Sequence, residues 1–250
     1  MLGTSLRLRR ILPGGSRRLF AVPLDHSVSM GPIDGLRAVA PVVEELQAAG
    51  VDMVVVTKGA ARDVVPVLRR PTLLGIHISA STSIGPTANH KVLMGSAAGA
   101  VALGADLLSV QVNFGTPEEA EMLRDLGVAA DEARTLGLPL MCMSYVKGPT
   151  EPSIEALQHA ARAAADLGAD IVKTSYPGSK TAFRALVRST PVPVVIGGGV
   201  RGDSEDAFVA SVRDSIAAGG AGICIGRNLF QRRPIAPLAR RLATLLHPSG

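Results

Sequence analysis

Four times along the chain an alanine-rich stretch with helical spacing stops at a glycine, and a short apolar run begins at once. The junctions are Ala49-Gly50-Val51-Asp52, Leu103-Gly104-Ala105-Asp106, Leu167-Gly168-Ala169-Asp170 and Ala218-Gly219-Gly220-Ala221. Glycine takes the left-handed conformation that ends a helix. Strands and helices that alternate with such short turns run with their strands parallel. Eight apolar or β-branched runs occur in order, at 19–24, 52–57, 73–78, 106–112, 139–144, 170–174, 192–196 and 221–225. Helical spacing marks 34–49, 117–136, 152–167, 180–189, 204–218 and 234–246, and a glycine-bearing but helix-like stretch covers 88–103. Eight such units in 250 residues predict an α/β fold, a single (β/α)8 TIM barrel over residues 1–250. A doubly wound open sheet is the alternative. It usually has fewer strands, and no G-x-G-x-x-G follows the first run.

Composition narrows what such a barrel can do. Hydrophobic residues make up 47% of the chain and aromatic residues 3%, with no Trp. The core is therefore aliphatic, and so few aromatic residues argue against a stacking platform for single-stranded nucleic acid. The net charge is +5, yet the positives are scattered. Their densest cluster, Arg7, Arg9, Arg10, Arg17 and Arg18, lies in the first eighteen residues. Pro13-Gly14-Gly15 interrupts this acid-free stretch, which reads as a basic lead-in (1–18) under the barrel rather than a transit peptide. Anionic, phosphorylated substrates account for the positive balance better than nucleic acid does. No apolar run reaches the roughly 18 residues of a membrane span. Cys142 and Cys224 both sit in apolar runs and read as small core residues in a reducing, cytoplasmic setting.

Chemistry in a parallel barrel gathers where strands end. Here nearly every run ends in polar groups: Asp25-His26-Ser27, Lys58, His77, Asn113, Ser144-Tyr145, Lys173-Thr174-Ser175, Gly197-Gly198-Gly199 and Gly226-Arg227-Asn228. Lys173 stands out. The chain has five lysines against twenty-one arginines, and one lysine falls inside the short sixth run. Burial strips hydration from an ammonium and pulls its pKa toward neutrality. The free amine is a nucleophile that forms a Schiff base with a carbonyl. The alternative is a lysine that snorkels from a strand end into water. Tyr145, on the neighbouring run, can serve as a proton donor and acceptor beside that imine, or be a core tyrosine with its hydroxyl at the rim. Asp25 can bind a substrate hydroxyl or shuttle a proton, or cap a helix. His26 shapes the same loop. The glycines after the seventh and eighth runs, with Arg227, make the loops that commonly hold phosphate in barrel enzymes. Tight turns are the plainer reading of those glycines. His26, His77, His90, His159 and His247 show no H-x-H or H-x-x-x-H spacing. That favours an imine over metal-stabilised enolate chemistry, with no metal and no cofactor.

Together these motifs resemble a known family. Pro23-Leu24-Asp25-His26 followed by Met30-Gly31-Pro32-Ile33, then Met143-Ser144-Tyr145, Asp170-Ile171-Val172-Lys173-Thr174-Ser175-Tyr176 and Ile225-Gly226-Arg227-Asn228-Leu229-Phe230, are similar to the archaeal-type class I aldolases. The likeness runs over nearly the whole chain in matching order. It implies Lys173 as the Schiff-base residue, Tyr145 as general acid/base and Asp25 as its carboxylate helper. It implies substrate and phosphate contacts from Gly198, Gly199, Gly226 and Arg227, with His26 and Ser175 alongside. It also implies a homo-oligomer, often a decamer. The family holds fructose-bisphosphate aldolases, heptulosonate synthases, C7 amino-acid synthases and an autoinducer-2 phosphate thiolase. Val22-Pro23-Leu24-Asp25-His26 with Gly31-Pro32-Ile33 is most similar to the heptulosonate and C7 synthases. Those enzymes take L-aspartate 4-semialdehyde, and the C7 synthases take dihydroxyacetone phosphate as donor. Two loops depart from the synthase pattern. Ser79-Ala80-Ser81-Thr82 replaces a Ser-Gly-Gly-Thr run, and Val146-Lys147 replaces Pro-Arg.

Overall fold

Side chains along each apolar run alternate between two surroundings, as the period of two in a strand requires. A computed structural model describes residues 2–13, 17–199, 201–202 and 204–248. Its strands are β1 (Leu19–Pro23), β2 (Met53–Thr57), β3 (Leu73–His77), β4 (Ser79–Ala80), β5 (Val92–Leu93), β6 (Leu107–Phe114), β7 (Leu140–Val146), β8 (Ile171–Ser175), β9 (Val194–Gly197) and β10 (Gly222–Cys224). Eight of them close into a barrel in the order β1-β10-β9-β8-β7-β6-β3-β2, every pair parallel. Leu19, Ala21, Met53, Val55, Leu107, Met141, Ile171, Val195 and Cys224 fill the inside of the ring. Phe20, Val22, Val54, Val56, Leu108, Cys142, Val172 and Ile196 face outward into the layer beneath the helices.

The helices are α1 (Leu2–Ile11), α2 (Ser27–Met30), α3 (Val39–Ala48), α4 (Lys58–Val64), α5 (Ala97–Ala102), α6 (Glu119–Thr135), α7 (Ile154–Asp166), α8 (Lys180–Ser189), α9 (Glu205–Ala217), α10 (Arg227–Phe230) and α11 (Ala236–Leu246). Thr57, Ser96, Ser153, Ser179 and Ser204 cap α4, α5, α7, α8 and α9 through their hydroxyls, satisfying amides that a helix start leaves open. α7 shows why alanine is abundant. It buries Leu157, Ala160, Ala161 and Ala164, one stripe of small residues laid against the strands. α1 lies at the bottom of the ring, where Ile11 joins the inner cluster.

The repeated glycine junctions carry two functions. Gly50, Gly104, Gly168 and Gly219 all have positive φ and stop their helices. The aspartate that follows three of them stitches the barrel floor. Asp52 accepts from the Phe20 amide at 2.7 Å, Asp106 from Leu74 at 3.0 Å and Asp170 from Leu140 at 2.9 Å. Each carboxylate thus satisfies an amide near the start of a neighbouring strand. The fourth junction has Ala221 instead and makes no such bond.

Two expected helices differ. The 34–49 segment becomes helical only at Val39, because Gly35 takes φ +85° in the preceding turn. The 88–103 segment is divided. Its first part forms β5, which pairs antiparallel with β4, and only Ala97–Ala102 is helical. The Gly14-Gly15 break expected in the lead-in lies outside the described residues. Cys142 lies under the helices and Cys224 inside the ring, and both are free thiols. Burial pushes the Cys142 thiol up to about 12. No helix among the described residues is long and apolar enough to cross a membrane.

Candidate active site

One cavity of about 540 Å³ opens at the C-terminal ends of the strands, a size ordinary for a small-molecule site. Lys173, Tyr145, Asp25, His26, Ser175, Gly198, Gly199, Gly226 and Arg227 all line it. These nine residues therefore meet in one place, while the strand-end groups Lys58, Asn113, Ser144, Thr174 and Asn228 do not line it.

Lys173 sits on β8 opposite Met143 of β7. Its side chain points inward and is only 5% exposed. It does not snorkel to bulk water. Its Nζ lies 3.6 Å from the Met143 Sδ and 5.8 Å from the centre of the Tyr145 ring. Tyr145 is two residues beyond Met143, so strand periodicity puts it on the same inward face, nearer the mouth. Gly197 of β9 makes the space both need. A Cβ there would sit 3.2 Å from the Lys173 Cε and 3.2 Å from the Tyr145 Oη.

The expected fall in the lysine pKa is not what the surroundings produce. Burial is the largest influence and pushes it down. Cys224, Tyr145 and Asp25 push it back, and the balance holds the ammonium above its ordinary value. A buried amine next to anionic partners keeps its proton; burial alone does not decide. Cys224 also feels this pairing. Burial raises its thiol, and Lys173 only partly offsets that rise.

Asp25 follows β1 at the mouth. Burial raises its carboxyl, but His77, His26 and Lys173 outweigh that and leave it below the usual carboxylate range. Two imidazoles flank it. His77 Nε2 lies 3.6 Å from Oδ2, and His26 Nδ1 lies 3.5 Å from Oδ1 without a hydrogen bond. Burial, joined by the charges of Lys173 and Arg227, depresses His26 to about 4. Burial depresses His77 as well. With both imidazoles held below their ordinary range, the ammonium groups that act on this carboxylate are Lys173 and, from the other side of the cavity, Lys91. His77 Nδ1 contacts the Ser109 Oγ at 3.0 Å, and Ser79 Oγ lies 3.4 Å from Nε2. Ser79 is fixed in turn by the Gln111 amide at 2.8 Å.

The loops after β9 and β10 form the other side of the cavity. Asn228 Nδ2 donates to the Gly198 carbonyl at 2.6 Å and ties the two loops together. A Cβ at Gly198 would come within 3.1 Å of Ile225, and one at Gly226 within 2.7 Å of His26 Cε1. Gly199 has φ +63°. Arg227 places its Nε in a buried position with no hydrogen-bond partner. An unsatisfied guanidinium N–H beside exposed glycine backbone fits an anion such as a phosphate. His26 is wedged here, edge-on to Phe230 at 5.2 Å.

Six further residues, His77, Lys91, Gln111, Met143, Lys147 and Cys224, also line the cavity and have no site role from the sequence. Cys224 was readable from parity, since it lies two residues before Gly226 on the inward face. His77 was visible as a strand end but was weighed only as a metal ligand. Among the described residues no group of three His, Cys, Asp or Glu side chains is placed to hold a metal ion.

The arrangement offers a buried amine, an adjacent phenol, a carboxylate and a guanidinium beside glycine backbone in one cavity, groups of the kind that imine chemistry on a phosphorylated carbonyl uses. Known proteins agree with that chemistry. Residues 19–232 match the family described as DeoC/LacD family aldolase. The chain is 41% identical over 249 residues to the 2-amino-4,5-dihydroxy-6-oxo-7-(phosphonooxy)heptanoate synthase of Streptomyces griseus, covering 98% of this chain and 91% of that protein. It is 38% identical over 247 residues to the 2-amino-3,7-dideoxy-D-threo-hept-6-ulosonate synthase 1 of Archaeoglobus fulgidus, covering 99% and 92%. Among solved structures, an archaeal fructose-1,6-bisphosphate aldolase with its catalytic Lys covalently bound to the carbinolamine intermediate superposes with a TM-score of 0.88 at 27% identity, covering 97% of this chain and 99% of that one.

Proposed function

Since the chain belongs to the DeoC/LacD aldolase family, we propose that it is a Schiff-base aldolase that joins dihydroxyacetone phosphate to L-aspartate 4-semialdehyde. The product is a C7 amino-acid phosphate of the kind used to make aminohydroxybenzoates. Lys173, as the free amine, adds to the donor ketone. The carbinolamine loses water and becomes an iminium. The iminium draws electrons from the adjacent C–H bond, its proton leaves, and an enamine forms. The enamine carbon attacks the aldehyde carbon, and the new alkoxide takes a proton. Water then hydrolyses the product iminium and returns the amine. Tyr145 moves these protons. Asp25 stabilises the cationic nitrogen. Gly198, Gly199, Gly226 and Arg227 hold the donor phosphate, with His26 and Ser175 beside it.

The observation that carries this reading is the shared cavity. Lys173 and Tyr145 crowd the same glycine, Gly197, and Arg227, whose buried Nε has no partner, lines the same space. The choice of acceptor is supported by the 41% identity to the Streptomyces griseus synthase, against 28% to an archaeal fructose 1,6-bisphosphate aldolase of known structure. The test is borohydride reduction in the presence of dihydroxyacetone phosphate, read by peptide mass spectrometry, followed by product masses with each aldehyde. An adduct on Lys173 and a C7 amino-acid phosphate are expected. No adduct at Lys173 sinks the mechanism. A hexose bisphosphate formed from glyceraldehyde 3-phosphate in preference sinks the acceptor assignment. A coenzyme A dependent acyl transfer points instead to a thiolase.

A further inference from the structure

We infer that Lys91, held by Ser29 and Ser81, is the subsite for the carboxylate of the acceptor aldehyde. This rests on the donor and acceptor reading above and extends it to residues that reading leaves unused.

Lys91 lies just before β5, facing Ser81 across the β4–β5 hairpin. The hairpin is firmly seated. The Met94 amide bonds the Ile78 carbonyl at 2.8 Å, the Leu93 amide bonds Asp125 at 3.2 Å, and Asn113 bonds the Asn89 carbonyl at 2.6 Å. The lysine is only 9% exposed, yet it lines the cavity. Its Nζ donates to the Ser29 Oγ at 3.1 Å and to the Ser81 Oγ at 2.6 Å. An ammonium has three N–H donors. The third has no acceptor among the described residues, and no carboxylate lies within ion-pair distance. Asp25 acts on this ammonium only from beyond ion-pair distance, and burial together with Lys147 outweighs it; burying an underpaired cation is costly, and a ligand anion arriving in the cavity reduces that cost.

Barrel order places this cation. The hairpin follows β3, and in the eight-strand ring β3 stands directly across from β9, whose loop carries Gly198 and Gly199. A substrate spanning the mouth thus meets one anion pole at each end, with Lys173 and Tyr145 between them. The two poles differ in kind. The β9–β10 side offers glycine backbone and a guanidinium, suited to a phosphate with several oxygens. The Lys91 side offers a compact ammonium on two hydroxyls, with the Lys147 ammonium near enough to act on it, point charges without a bidentate fork that suit the smaller charge of a carboxylate. Glu151 lines the same cavity and supplies a carboxylate for an ammonium, so an amino-acid aldehyde finds partners for both its charges.

The test compares Lys91→Met and Lys91→Arg with wild type on three acceptors: aspartate semialdehyde, glyceraldehyde 3-phosphate and uncharged glyceraldehyde. Borohydride trapping with dihydroxyacetone phosphate reports the donor half-reaction in each variant. Lys91→Met is expected to trap donor like wild type and to lose about ten- to a hundred-fold in kcat/KM for aspartate semialdehyde, the worth of a charge-assisted hydrogen bond. Turnover of glyceraldehyde stays within about twofold, and Lys91→Arg recovers part of the loss. Equal loss on all three acceptors, no loss on any, or a loss confined to glyceraldehyde 3-phosphate overturns the assignment. If Lys91→Met fails to trap donor, Ser29→Ala carries the test, with a smaller loss in the same selective pattern. A wild type that traps no donor refutes the donor reading alone. Calorimetric titration with L-homoserine, the unreactive alcohol of the aldehyde, then decides the subsite. Binding weakened tenfold or more by Lys91→Met supports it, and equal binding overturns it.

Discussion

Gly197→Ala places one methyl group between the two groups proposed to do the chemistry. Gly197 lies in β9, paired with Ser175 of β8 and Cys224 of β10. Its φ is not in the positive region, so alanine fits the backbone without strain. The added carbon would sit 3.2 Å from the Lys173 Cε and 3.2 Å from the Tyr145 Oη. Ordinary carbon contacts begin near 3.5 Å, so each neighbour must give by a few tenths of an ångström. Both border the open cavity and have somewhere to go, which keeps the stability cost at or below about 1 kcal/mol, the low end of overpacking. Catalysis is less forgiving. A misplacement of 1 Å costs on the order of a hundredfold, so a third of an ångström costs roughly fivefold. The expected result is a drop in kcat of about three- to twenty-fold, with a slower borohydride-trapped adduct and a thermal midpoint within a few degrees of wild type. Turnover unchanged within twofold would refute the placement of Lys173 and Tyr145 as the working pair. So would a drop fully explained by unfolding.

Three further results follow from the same geometry. Tyr145→Phe should leave dihydroxyacetone phosphate bound and lower kcat by about a hundred- to ten-thousand-fold, the range for a lost general acid/base; a loss under tenfold assigns the proton work elsewhere. Arg227→Met should raise KM for phosphorylated donors by about tenfold or more and leave binding of unphosphorylated dihydroxyacetone unaffected, checked by donor titration at fixed acceptor. Acid should destabilise the fold through His26. An imidazole titrates near 6.5 when unfolded and near 4 when folded, so the unfolded chain takes up the proton first. The stability is complete above pH 6.5 and is lost as pH falls through about 4, a change of about 3 kcal/mol. Urea midpoints measured between pH 7 and 4 should fall accordingly, and His26→Gln should flatten the curve.

The barrel was legible because its rules are local. A glycine at φ above zero ends a helix, an alternating run makes a strand, and eight repeats leave one closure. That nine proposed site residues meet in one cavity follows from a related rule, since strand ends are fixed by the same periodicity and converge on one face. What was hidden depends on partners distant in sequence. The floor stitch of Asp52, Asp106 and Asp170 needs the neighbouring strand to be known. The β4–β5 hairpin was masked by the small residues of 88–103, whose spacing mimics a helix, and Lys91 was hidden with it. The pKa of Lys173 was misjudged because burial is visible in a sequence while the anionic neighbours that oppose it are not.

That misjudgement bears on mechanism. An ammonium cannot attack a ketone, and the Lys173 ammonium is held above its ordinary pKa by Cys224, Tyr145 and Asp25 against the pull of burial. Of these three Asp25 is the one that brings a full charge at neutral pH, its carboxyl lying below the usual range, while burial raises the Cys224 thiol. Holding the proton slows the first step. The gain comes later, since the iminium carries the same positive charge on the same nitrogen. A carboxylate that stabilises the ammonium also stabilises every cationic intermediate, without reorganising. The consequence is a pH dependence of definite sign. A group whose pKa is raised releases its amine only as pH climbs, so adduct formation with dihydroxyacetone phosphate should accelerate steadily between pH 7 and 9 instead of levelling near neutrality. Asp25→Asn removes the neighbouring charge while burial remains, so the Lys173 pKa should fall and the rising limb should move to lower pH. The same change weakens the iminium, so kcat should drop even where the amine is free. Rapid-quench borohydride trapping across that pH range separates the two effects. A rate that levels near pH 7 in wild type, or a limb that does not move in Asp25→Asn, would show that burial governs this lysine after all.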